Sequence, residues 1–114
     1  MSTSAAHGIP HRIRVLNDNF RCTFVGGSVV MTPGVAELPL DTKARIILAV
    51  QSFDQFTNDN DPHGEHDFGS FEIGGETYFF KIDYYDVDME SGSEDPADPE
   101  KTTRVLTIMR ADEY

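Results

Sequence analysis

Gly74 and Gly75 constrain this chain more than any other pair of residues. They lie inside the stretch Asn58 to Asp88, between two runs of alternating apolar residues. A Gly-Gly pair in that setting predicts a two-residue hairpin turn, because both central residues can take positive φ. The turn sets a register in which Ile73 faces Glu76, Phe71 faces Tyr78, Gly69 faces Phe80, Phe68 faces Lys81 and His66 faces Asp83. Opposed residues share a face of the sheet. One face then carries Phe71, Tyr78, Phe80, Ile82 and Tyr84, the expected core. The other carries His66, Phe68, Phe79, Lys81, Asp83 and Tyr85, a mixed set.

The rest of the chain supplies partners for that hairpin. With 114 residues, it has the length of one domain with its own core. Residues 1–8 are small and polar and are expected to be a disordered tail. Ile9, Ile13, Leu16, Phe20 and Phe24 recur at helical spacing, and Gly26-Gly27 is expected to end that helix. Ser28 to Thr32 reads as a short strand and Pro33-Gly34 as a turn. Asp41 is the expected N-cap of a second helix, with Ile46, Ala49, Val50 and Phe53 as its apolar stripe. Met89 to Lys101 is a long acidic loop with two prolines. Thr102 to Arg110 is apolar on both faces, as an interior strand would be. The expected fold is a single α+β domain: a small antiparallel or mixed sheet with a Gly-Gly hairpin and two helices packed on it.

Charge narrows the function classes. The formal net charge is −11, which argues against direct contact with a nucleic-acid backbone and for a basic protein partner. No apolar run is long enough to span a bilayer, and no signal peptide is evident. The single cysteine, Cys22, excludes an intramolecular disulfide and suits a cytoplasmic setting. It reads as a small core or helix residue rather than a nucleophile.

Three constellations could carry chemistry. His63, Glu65, His66 and Asp67 offer divalent-metal ligands, although they lack the HExxH arrangement and would need a bend at Gly64 to converge. The alternative is a polar loop satisfying its own backbone donors. His66, Lys81 and Asp83 could form an acid–base group, with Asp83 orienting His66 and Lys81 holding an anion; a cross-strand ion pair is the simpler reading. Asp86, Asp88, Glu90, Glu94, Asp95, Asp98 and Glu100 form a carboxylate-rich surface able to imitate phosphates in a basic groove. Calcium is disfavoured, since Ser70 stands where an EF-hand loop needs its bidentate glutamate.

The segments DNDPHGEHDFG (59–69), KIDYYD (81–86), GSEDPADP (92–99), TTRVLTIM (102–109) and VVMTPGVAELP (29–39) resemble domain-of-unknown-function family 3768. That resemblance implies no particular chemistry or cofactor. It does imply an accessory protein of alphaproteobacterial plasmids and other mobile elements, acting in replication, transfer or evasion of host defence. Together with the charge, it favours a non-catalytic binding protein, in the sharpest form an anti-restriction or anti-CRISPR inhibitor of a nucleic-acid-handling enzyme. The alternative is a small metal-assisted hydrolase or nuclease built on His63, Glu65, His66, Asp67 and Asp83, for which no nucleophile is visible.

Overall fold

A computed structural model describes residues 8–114; of the tail expected at residues 1–8, residues 1–7 lie outside the described residues, and Gly8 is the N-cap of the first helix. The order is α1 (Ile9–Thr23), β1 (Gly27–Met31), α2 (Pro33–Ala36), α3 (Leu40–Gln51), β2 (Phe68–Ile73), β3 (Glu76–Tyr85) and β4 (Thr103–Arg110), then a single 3₁₀ turn (Ala111–Glu113). The strands form one mixed sheet in the order β1-β4-β3-β2. β1 runs parallel to β4, and the other pairs are antiparallel. The fold is α+β, as the element order implies.

The hairpin register holds from Phe68↔Lys81 to Ile73↔Glu76. Gly74 and Gly75 both have positive φ, +60° and +84°, the condition for a tight two-residue turn. Gly69 is required for a different reason. A Cβ there would lie 2.3 Å from Phe80 Cε2 and 2.9 Å from Phe53 Cε2, so only a glycine lets those rings close over β2. Tyr78, Phe80 and Ile82 of β3 and Leu106 and Ile108 of β4 meet Phe20, Val35, Ile46, Val50 and Phe53 in one buried cluster. Each fully buried large side chain contributes on the order of 2 kcal/mol.

Four local expectations are corrected. His66 does not face Asp83. Pairing ends with Phe68, where the Asp67 carbonyl accepts from the Ile82 amide at 2.8 Å, and His66 at φ +57° turns the chain out of the strand. Pro33-Gly34 opens the short helix α2 rather than a simple turn. Asp41 is not the N-cap of α3; Pro39 is, and Asp41 sits in the first turn, where its charge still favours the helix dipole. Gly27 begins β1 instead of ending α1, whose C-cap is Phe24 in the left-handed region. Cys22 lies on α1, one of its two expected settings, and is exposed.

Candidate functional site

Among the described residues, the candidate site residues gather chiefly in two places: under α1, and in the loop that links β3 to β4. The first begins with an anomaly in α1. Its buried residues are Ile13, Asn17, Phe20 and Arg21, so half of the inward stripe is polar. Ile9, expected to face the core, is 53% exposed. Buried polar groups need partners, and here those partners are carbonyls at a helix end and in a loop, together with other side chains. Arg21 donates from Nε to the Val50 carbonyl at 3.1 Å and from Nη2 to the Phe53 carbonyl at 3.2 Å. It thereby satisfies carbonyls at the C-terminus of α3, a helix end with no basic residue of its own and a favourable place for a cation. The same guanidinium lies 5.1 Å from the Phe56 ring centroid and donates to Asp18 Oδ1 at 2.9 Å.

Asn17 does for the loop before β2 what Arg21 does for α3. Its amide donates to the Glu65 carbonyl at 2.9 Å and to the Tyr84 hydroxyl at 2.8 Å. Its Oδ1 accepts from Arg104 Nε at 2.8 Å, and Arg104 also donates to the Pro96 carbonyl. The Tyr84 hydroxyl in turn donates to Glu65 Oε1 at 2.8 Å. Burial pushes the Tyr84 phenol well above its ordinary range, with the Glu65 carboxylate adding to the shift. Burial likewise lowers the Arg104 guanidinium, opposed by Tyr84 and Glu65. No buried side-chain nitrogen or oxygen is left unpartnered among the described residues.

His66 belongs to this network. Its Nδ1 lies 2.8 Å from Asp18 Oδ1, its Nε2 lies 3.6 Å from Asp61 Oδ2, and its ring stacks on Phe56 at 3.8 Å. Asp61 is buried, and its Oδ1 accepts from the Glu65 and His66 amides. Both imidazole nitrogens therefore face carboxylates, and the ring acts as a staple between the loop and α1. The group His66, Lys81 and Asp83 is not assembled. Lys81 pairs with Asp83 at 2.9 Å along β3, on the sheet face opposite Phe80, whereas His66 lies on the helical side with Phe56. Nor do His63, Glu65, His66 and Asp67 converge. His63 is exposed, Glu65 is held by Tyr84, and His66 by Asp18 and Asp61. Among the described residues no group of three or more His, Cys, Asp and Glu side chains could hold a metal ion.

The second collection is the loop of residues 86–102. It is built from turns that Asp and Ser close. Asp86 Oδ1 accepts from the Glu90 amide at 3.0 Å, which with Ser91 holds its carboxyl below the ordinary range. Asp95 Oδ1 accepts from the Ala97 amide at 3.3 Å and Asp98 Oδ1 from the Glu100 amide at 2.9 Å. Ser93 Oγ and Thr102 Oγ1 meet at 2.7 Å across the base of the loop. The seven expected partner-binding carboxylates thus divide. Asp86, Asp95 and Asp98 close turns, while Asp88, Glu90, Glu94 and Glu100 are exposed. Asp86, Glu94 and Glu100 line an open cleft of about 440 Å³ with Lys101.

Sequence reasoning missed Asn17, Asp18, Arg21, Tyr84 and Arg104 as site residues. The available signal was position: Asn17 and Arg21 fall one turn apart on the stripe of Ile13 and Phe20, and Arg104 shares a face with Leu106 and Ile108.

No helix among the described residues is long and apolar enough to cross a membrane. No curated protein and no solved structure matches the chain. The family model described as protein of unknown function (DUF3768) matches residues 31–113, and the chain belongs to that family.

Proposed function

We propose that the protein is a non-catalytic acidic binder that docks its β3–β4 loop into a basic groove of another protein. One observation carries the reading. The loop is held by its own turns, so Asp88, Glu90, Glu94 and Glu100 project from a fixed frame instead of a floating tail. Pre-ordered charge costs less to bind than charge on a chain that must first be ordered. A hydrolase built on His66 would need a free imidazole nitrogen, and both nitrogens face carboxylates. The partner class that fits is a groove that ordinarily holds phosphates, in a cytoplasmic nucleic-acid-handling enzyme. Its sharpest form is a restriction or CRISPR nuclease opposed by a mobile element.

The test is the association rate with a captured partner, measured against salt. Screening shortens from about 10 Å at 0.1 M to about 3 Å at 1 M, so the rate should fall steeply. Reversing Glu90, Glu94 and Glu100 to Lys should slow association at low salt and flatten the salt dependence. A rate indifferent to both salt and charge reversal would end the reading.

A further inference from the structure

The sheet face turned away from the helices has its own chemistry. Phe79, Lys81, Asp83 and Tyr85 point to it from β3, beside Thr107 and Met109 of β4. The chain end returns over this face. The Tyr114 ring lies 5.5 Å from Phe79 and 6.0 Å from Phe68, centroid to centroid, yet Tyr114 is 74% exposed. Between the chain end and β3 lies an open cleft of about 410 Å³, lined by both tyrosines, Lys81, Asp83 and Glu113.

The cleft is aromatic and weakly negative. Lys81 neutralises one carboxylate through Asp83 Oδ2, and Asp83 Oδ1 has no partner among the described residues. Glu113 keeps its charge but spends its oxygens on Thr32 Oγ1 at 2.6 Å and on the Gly34 and Arg110 amides, both at 2.9 Å. Two tyrosines, Met109 and one carboxylate oxygen not taken by Lys81 line the cleft and complement a flat, weakly hydrated cation. A guanidinium is that cation: it stacks on aromatic rings and donates in a planar fork, whereas an ammonium holds its water more tightly. The net charge of −11 draws such groups toward the whole surface.

We propose that this cleft is a binding site for an arginine side chain of a basic protein partner, seated between Tyr85 and Tyr114 with Asp83 as its acceptor. The inference rests on the binding reading above and adds a specific anchor to a diffuse field. It is tested on the full-length protein by following backbone amides in a two-dimensional NMR titration with N-acetyl-arginine amide, and in parallel with N-acetyl-lysine amide at equal ionic strength. The expected result is saturable shifts at Lys81, Asp83, Tyr85, Thr107 and Tyr114, several-fold weaker with the lysine probe. Tyr114→Ala, at the exposed chain end, should weaken the arginine probe about fivefold, and Asp83→Asn should weaken it as well. The Glu90, Glu94 and Glu100 reversal should leave it unchanged. Shifts that do not saturate, or equal shifts with both probes, would overturn the site. So would shifts at these amides that depend on protein concentration without probe, which would make the face a contact between copies. If an arginine-rich peptide still binds with strong salt dependence while the single-residue probe leaves the cleft unmoved, the anchor fails and the acidic-loop reading stands. If the peptide also fails to bind, both fall.

Discussion

The network under α1 and the loop between β3 and β4 are both rich in carboxylates, yet they use them in opposite ways. Under α1, Asp18, Asp61 and Glu65 are matched by Arg21, His66, Tyr84, Arg104 and Asn17, and the groups are largely withdrawn from water. Each partner there is committed, and removing one leaves another exposed to the full cost of desolvation. In the loop, seven carboxylates face one lysine, and the bonds they make are to local backbone amides and one serine hydroxyl. What is left over projects into solvent as a field. Matched charge builds structure; unmatched charge on an ordered frame is free to act at a distance.

The contrast breaks most easily at Asn17. Asn17→Ala should cost about 3 kcal/mol in urea unfolding, because it strands Arg104 Nε and the Glu65 carbonyl in a buried site. A loss below about 1 kcal/mol would mean that the network is better solvated than its hydrogen bonds suggest. Asp98→Ala tests the other region. It removes one turn closure and should cost about 1 kcal/mol, in the range of a lost cap.

A smaller effect should appear as a change with pH at Asp67. Burial raises its carboxyl above 3.8, with its own backbone amide and nearby His63 opposing and Glu65 and Asp61 adding. The folded protein therefore keeps this proton to higher pH than the unfolded chain does. The cost of ionising it is absent below the unfolded value and complete once the folded value is passed. Asp67→Asn should be more stable than wild type at neutral pH, with the two converging as pH falls through that window. A variant equally or less stable at pH 7 would refute the sign. Smallest of all, reversing Glu90, Glu94 and Glu100 together should move stability by no more than about 0.5 kcal/mol, since these side chains hold nothing. A larger loss would mean that the loop's exposed carboxylates are structural after all.

Residue patterns made the sheet legible because its determinants are local. Gly74-Gly75 fixes the hairpin register, and Val105, Leu106, Thr107, Ile108 and Met109 announce a strand covered on both sides. The network under α1 was not legible for the complementary reason. Asn17 meets Tyr84 and Arg104 only through tertiary packing, and no spacing rule relates those positions. His66 misled in the same way. Alternation carried the strand two residues too far, past Phe68, because a left-handed histidine at the end of a glycine-bearing loop has no periodic signature. The acidic loop was visible as charge, but its division into turn-closing Asp86, Asp95 and Asp98 and outward-facing neighbours depends on which amide each oxygen meets.

The position of β4 also bears on how the chain is made. It lies between β1 and β3, pairs Gly27 with Arg104 in parallel, and is the last strand to leave the ribosome. Until it emerges, β1 has no neighbour, and the hairpin has one edge of β3 bare. Closing so long a loop is slow and costs entropy before any contact repays it. A nascent chain lacking residues after 102 should therefore carry helices and a hairpin but no joined sheet, leaving its apolar faces to chaperones. The sheet is completed only when β4 slots between β1 and the hairpin.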